Sequence, residues 1–170
     1  MKRTKWFERQ FPSIADNGLF PGILERLEGT PARLNGKFEK LQVNALVRPE
    51  EGWSLHKEIG HLLDLEPLWF ARAKQIMEGE QDLIPADLSN KKTHETDHDG
   101  RSAQDLIGDF ATERAKLVAL MRSASATALE NAARHPRLGT PMKLIDLAFF
   151  VAEHDDHHLA SMTELLQQPS

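Results

Sequence analysis

The chain has 170 residues, of which 40% are hydrophobic and 28% charged, and its formal net charge is −5. These values suit a globular protein, and we expect a single domain over residues 1–170. The acidic balance does not favour nucleic acid or an anionic membrane as a partner, because both select basic surfaces. Cysteine is absent, which excludes disulfides, thiolate nucleophiles and cysteine-ligated metal sites and leaves His, Asp and Glu as candidate metal ligands.

The apolar residues indicate neither a targeting segment nor a membrane span. The basic N-terminal stretch contains no apolar run long enough for a signal peptide. Nowhere does the sequence approach the roughly 18 consecutive apolar residues that a membrane span requires. We therefore expect a cytoplasmic protein.

Helical periodicity of apolar residues appears four times, whereas tyrosine is absent and no stretch alternates β-branched residues as strands do. The first predicted helix covers residues 20–46, with a break expected at Pro31. The second covers residues 54–77, since Ser54 is a favourable N-cap and Gly79 a favourable terminator.

A polar connection over residues 80–101 follows, and connections of that length are often functional or disordered. The third predicted helix begins at the N-cap Ser102, and a short helix is expected over residues 127–134. The last predicted helix covers residues 140–166, with Pro141 in its first turn. Four long helices with little else predict an all-α four-helix bundle.

Two of the eight histidines share the apolar face of the last predicted helix. His154 and His158 are four residues apart, a spacing that places both rings on one side of a helix. Their neighbours at the spacing of a core-facing stripe are Leu144, Leu147, Val151, Met162 and Leu165. Two such rings can reach one ion at roughly 2.1 Å. His157 falls on a more polar side, and we exclude it as a ligand.

A third ligand should come from another helix. In the second predicted helix His61 is flanked by apolar residues, whereas His56 lies in the first turn beside Lys57 and is expected to be solvated. His61 is therefore the third candidate. The same helix carries Glu66 on its apolar stripe, where a carboxylate either orients a metal ligand or pairs with an arginine.

The remaining histidines carry no site prediction. His94 and His98 belong to the polar connection, where the acidic spacing does not follow a calcium-binding loop, and we expect them to be solvated. His135 precedes Pro136 and is interpreted as marking the end of the short helix. Four acidic residues are candidates to lie near the site, and the sequence alone does not rank them: Glu58, Asp64, Glu66 and Asp155.

The segments that carry these histidines resemble the DinB/YfiT-like superfamily. The matching motifs are W-S-L-x-x-E-I-x-x-H-L-x-D-x-E-x-x-W from Trp53 to Trp69 and H-x-x-H-H-L from His154 to Leu159. The resemblance implies a four-helix bundle, frequently a homodimer, with three histidines that hold zinc or nickel. These histidines correspond to His61, His154 and His158, the same three that the periodicity selects.

Three protein ligands leave coordination positions open, which is typical of catalytic metal sites. Such a metal can activate water for hydrolysis, or hold a low-molecular-weight thiol for a transferase or isomerase reaction, as the resemblance implies. We therefore predict a metal-dependent enzyme with a small-molecule substrate. The alternatives are a non-catalytic metal-binding stress-response or interaction protein, and a plain bundle with buried histidines. Metal should be lost well below pH of about 6.5, because only neutral imidazole binds it.

Overall fold

The computed structural model describes residues 3–39, 49 and 52–167. Within these ranges the α-helices are α1 Phe20–Glu28, α2 Thr30–Phe38, α3 Leu55–Glu78, α4 Lys91–Glu95, α5 Ala103–Arg122, α6 Ala126–Glu130 and α7 Leu144–Leu166. Two short strands, β1 Ala132–Arg134 and β2 Pro141–Lys143, form an antiparallel pair. Short 3₁₀ turns lie at Trp6–Glu8 and Asn17–Leu19.

The first predicted helix is divided into α1 and α2, as the proline predicted. The division lies at Gly29, immediately before Thr30 and Pro31. Proline is favoured in the first turn of a helix and disfavoured in its interior, so a new helix begins there. The predicted continuation over residues 40–46 lies outside the described residues.

The second predicted helix, α3, is confirmed together with both of its ends. The Ser54 side chain accepts a hydrogen bond from the backbone N–H of Lys57 at 3.0 Å, and Gly79 ends the helix with a φ of 77°. That left-handed conformation is accessible to glycine at little cost. The helix continues through Pro67 without interruption.

The bundle is formed by α3, α5 and α7 together with the α1–α2 pair. α3 packs against α5 and α7, while α1 packs against α7 and α2 against α5. The buried apolar residues form two clusters, and polar residues lie between them: on α7, His154 and Asp155 lie between Ala152 of one cluster and Leu159 of the other. Among the described residues, no helix combines the length and the apolar composition needed to cross a membrane.

The segment before α7 differs from its prediction. The short helix predicted over residues 127–134 ends at Glu130, and Ala133 pairs with Met142 in the strand pair that follows. The last helix begins at Leu144, because the Asp146 carboxylate accepts hydrogen bonds from the backbone N–H of Lys143 at 2.9 Å and of Ile14 at 2.7 Å. The predicted start at residues 140–141 was wrong, since local propensity did not reveal the pairing of these residues with a partner strand.

The connection over residues 80–101 packs onto the bundle. Its first residues pair with β1: the backbone N–H of Arg134 donates to Gln81 at 2.8 Å, and that of Leu83 donates to Arg134 at 3.1 Å. It also contains α4, which contacts α3. The connection therefore lies beside the part of α3 that carries His61.

Candidate metal centre

Three buried histidines from two helices lie together inside the bundle. His61 on α3 and His154 and His158 on α7 each offer a ring nitrogen, and these nitrogens lie within 4.8 Å of one another. The Nε2 atoms of His154 and His158 are 3.2 Å apart. These residues, here called the histidine trio, are the three candidates selected from the sequence.

Two of the rings have a hydrogen-bond partner at Nδ1, which leaves their Nε2 atoms available to the shared point. The Nδ1 atom of His158 lies 2.5 Å from Glu58 Oε2, and that of His61 lies 3.1 Å from Thr93 Oγ1, which donates to Asp64 at 3.0 Å. A ring that donates from Nδ1 carries its lone pair on Nε2. Partners of this kind fix the orientation and the tautomer of metal-binding histidines in other proteins.

His98 extends the support behind His61, although the sequence predicted that it would be solvated. Its side chain is buried, and its Nε2 atom lies 2.9 Å from Asp64 Oδ2. Gly60 makes room for this ring, because a Cβ atom at that position would lie 2.2 Å from the imidazole. A glycine inside an otherwise helical stretch was the one sign in the sequence of this close approach.

Burial keeps the histidine trio neutral. It lowers the pKa of His61 to about 3, with a further contribution from His158, and lowers the pKa of His158 to about 4. Burial also lowers the pKa of His154 well below its usual value, whereas it raises the pKa of Glu58 to about 8. Neutral imidazole is the form that binds a metal ion.

The other histidines of α3, α4 and α7 point elsewhere. His56 is buried rather than solvated as predicted, and its ring lies 6.4 Å from that of Phe38. The Nδ1 atom of His157, which was excluded as a ligand, faces the guanidinium of Arg3 at 3.2 Å. His94 is exposed, as predicted.

A cavity of about 550 Å³ opens beside the histidine trio. All three tryptophans of the chain line it: Trp6, Trp53 and Trp69. The Trp53 ring stacks on His158 with a centroid separation of 6.1 Å, while Trp69 meets His154 edge-on at 5.6 Å. The connection over residues 80–101 also contributes to the wall. The trio therefore borders a largely aromatic space of the size of a small-molecule site.

The four acidic candidates have separate roles. Glu58 contacts the trio directly, and Asp64 contacts it through Thr93. Glu66 and Asp155 both bind Arg114 instead, so the alternative in which Glu66 pairs with an arginine is confirmed. Arg114, Glu66 and Asp155 are here called the Arg114 network.

His135 was interpreted as a helix terminator, but it is buried and lines the same cavity as the trio. Its Nε2 atom lies 3.1 Å from a guanidinium nitrogen of Arg72, a buried α3 residue that sequence reasoning did not select. An arginine on a helix is most often solvated, so the pattern alone gave no reason to place Arg72 inside.

The donor set of the trio fits a divalent transition-metal ion. Imidazole nitrogens suit zinc, nickel and related cations. Two nitrogens bound to one tetrahedral zinc lie roughly 3.3 Å apart for bonds of about 2.0–2.1 Å, close to the observed Nε2 separation of 3.2 Å. All three rings are neutral, and two of them have Nε2 available, which is the form in which imidazole binds a metal ion.

Comparison with known proteins agrees with this architecture. The sequence model of the DinB superfamily matches residues 26–162. The chain belongs to the DinB superfamily. Among solved structures it is similar to YfiT from Bacillus subtilis, with a TM-score of 0.75 and 21% identity over 92% of this chain and 91% of that one. YfiT is described as a probable metal-dependent hydrolase with an unusual four-helix bundle topology. This likeness confirms the predicted four-helix bundle. No curated protein matches the sequence.

Proposed function

We propose that this DinB superfamily member is a metal-dependent hydrolase of small molecules, with a divalent cation held by His61, His154 and His158. The observation that carries the proposal is the convergence of three buried, neutral imidazoles at the wall of an aromatic cavity. The description of YfiT as a probable metal-dependent hydrolase supports the same reaction class. Zinc or nickel suits the all-imidazole ligand set.

The histidine trio, its hydrogen-bond partners and the tryptophans would have different roles in this reaction. A cation held by the trio would supply a Lewis acid and lower the pKa of water, or of a low-molecular-weight thiol if the reaction is a transfer. With a cation bound, an ionised Glu58 would accept the Nδ1 proton of His158, and Thr93 would accept that of His61. The tryptophan rings exclude bulk water and pack against the apolar part of the substrate.

Metal analysis of purified variants tests the ligand assignment. Alanine replacement of His61, His154 or His158 is expected to remove most of the bound metal. The matched control is His94→Ala, which removes an exposed histidine near the same cavity and should leave the metal content unchanged. If all three ligand variants fold, as judged by circular dichroism, and keep full metal content, the proposal is wrong.

Turnover with and without added thiol separates the reaction classes. The hydrolase proposal predicts metal-dependent cleavage within a panel of esters and amides without any thiol. A requirement for a low-molecular-weight thiol would favour the transferase or isomerase, and unchanged partner capture by a metal-free, inactive protein would favour a non-catalytic role. A single domain over residues 1–170, a homodimer and a cytoplasmic location remain predictions from the sequence.

A further inference from the structure

A second polar cluster lies in the same cavity as the trio, around Arg72, His135 and Arg137. Arg72 is 2% exposed. Its guanidinium donates to the carbonyl of Ile84 at 2.9 Å, and its Nη1 lies near His135. The Nη2 atom of Arg137 is buried and has no hydrogen-bond partner among the described residues. Within the same residues, no carboxylate forms an ion pair with either arginine.

Hydrogen-bond donors outnumber acceptors at His135. Its Nδ1 atom accepts from the backbone N–H groups of Arg137 and Leu138, each at 3.2 Å. A neutral imidazole has one acceptor nitrogen and one N–H, so the Nε2 of His135 then carries its proton. That proton faces the Nη1 donor of Arg72 at 3.1 Å. An additional acceptor beside these groups would satisfy both donors.

The cluster also concentrates positive charge, and the part of the chain that the structure describes provides no anion paired with it. Burial and the charge of Arg137 lower the pKa of Arg72 to about 10. Burial, followed by the charges of both arginines, lowers the pKa of His135 to about 4. Buried charge is costly when no counter-ion accompanies it, so a bound anion would relieve this part of the cavity.

Aromatic rings connect this cluster with the trio. The Arg72 guanidinium lies 5.5 Å from the Trp69 ring, and the edge of Trp69 in turn meets His154. The Arg137 guanidinium lies 5.8 Å from the ring of Phe150, which contacts Trp69 at 5.9 Å. A ligand with an apolar body can therefore lie across Trp69 and Phe150 with one end at the arginines and the other at the trio.

We propose that Arg72 and Arg137 form an anion-binding subsite, which holds a carboxylate or phosphate group of the substrate at the end of the cavity away from the histidine trio. This assignment rests on the proposed function and narrows its substrate class to small molecules with an apolar body and an oxyanion. Guanidinium groups suit this task because their planar forks can donate two parallel hydrogen bonds to an oxyanion.

Tryptophan fluorescence provides a direct test, since every tryptophan of the chain lines the cavity. Metal-stripped protein is titrated with phenylacetate, phenyl phosphate and the neutral phenylacetamide. At least one anion should bind roughly tenfold or more tightly than the amide, because charged hydrogen bonds are the stronger ones. The tighter anion then identifies the group as carboxylate or phosphate.

Arg137→Gln should abolish this preference for the anion. Arg72→Gln, the second variant, should abolish it as well. The matched control is Arg122→Gln, which alters an exposed arginine paired with Glu25 and Glu28 and should keep the preference. Equal affinity of wild-type protein for anion and amide, no saturable binding of either anion, or an unchanged preference in folded Arg137→Gln overturns the subsite. Because no metal is present, failure of this test is distinct from failure of the metal assignment.

Discussion

Two of the buried polar clusters in the described part of the bundle, the Arg114 network and the histidine trio, have opposite organisation. In the Arg114 network, Arg114 donates to Glu66 at 2.7 Å and to Asp155 at 3.0 Å, and Asp155 also accepts a hydrogen bond from Thr30 at 2.7 Å. Burial alone would lower the pKa of Arg114, but the charges of Asp155 and Glu66 outweigh it and raise that pKa. This cluster gives its buried cation two carboxylate partners.

The histidine trio is buried to a similar degree but is left incomplete. Its rings are neutral, two of their lone pairs face a common point, and the Nδ1 atom of His154 has no partner among the described residues. It also borders the cavity, whereas no member of the Arg114 network does. Burial of polar groups therefore does not by itself distinguish a candidate site, whereas lone pairs without a partner beside a cavity do.

The largest expected effect concerns the Arg114 network. Arg114→Met would leave the carboxylates of Glu66 and Asp155 buried without their cation, and we expect it to lower the free energy of unfolding by roughly 3–5 kcal/mol. Urea denaturation measures this loss. Metal content per folded molecule should not change, because the variant leaves the trio and its partners in place. A variant as stable as the wild type would show that the network does not hold the bundle together.

Glu58→Gln should affect the other cluster. It removes the charge that supports His158, and we expect a roughly 10–100-fold loss of metal affinity with little change in stability. Glu66→Gln is the matched control, since it alters a buried carboxylate two turns along the same helix. That control should lower stability and leave metal affinity unchanged. Competition with a chromophoric chelator measures the metal affinity. If Glu66→Gln lowered metal affinity and Glu58→Gln lowered stability instead, the two clusters would not have these separate roles.

The sequence predicted the trio because the spacing of helical residues is regular. His154 and His158 lie on the apolar stripe of α7, and His61 is flanked by apolar residues in α3, so helical spacing and apolar neighbours were enough to select all three. The position of α3 followed similarly from the N-cap Ser54 and the terminator Gly79. Local chemistry determines these features.

The supports of the trio could not be predicted in the same way. Thr93 and His98 reach α3 only because the connection over residues 80–101 packs back onto the bundle. His135 is buried through the pairing of β1 with β2, which local propensity did not indicate. Contacts between residues far apart in the sequence determine where these side chains lie, and a single sequence gives little indication of such contacts.

The pH dependence of metal binding should reflect Glu58 rather than the histidines. The lowered pKa values of about 3 for His61 and about 4 for His158 mean that protons compete for these rings only near pH 4, below the value expected from the sequence. Glu58, with its pKa raised to about 8, is protonated in the metal-free protein and should ionise when a cation binds. Affinity should therefore rise about tenfold per pH unit between about pH 5 and 6.5.

Calorimetric titration across this pH range measures the slope of the logarithm of affinity against pH. A slope of about one is expected, whereas three imidazoles with ordinary pKa values of about 6.5 would approach a slope of about three at the acidic end. Glu58→Gln should remove most of this slope, because glutamine has no proton to release when the metal binds. A slope near three in the wild-type protein would indicate that the trio is solvated rather than buried.

The smallest effect is expected from Thr93→Val, which tests whether the support of the trio extends onto the connection over residues 80–101. Valine keeps the shape of threonine but removes the acceptor of the His61 Nδ1 proton. A neutral hydrogen bond contributes about 0.5–1.5 kcal/mol, so metal affinity should fall roughly 2–10-fold, less than for Glu58→Gln. Thr112→Val, at an exposed position on α5, is the matched control. Unchanged affinity in Thr93→Val would mean that the helices alone orient His61, as they orient the Arg114 network.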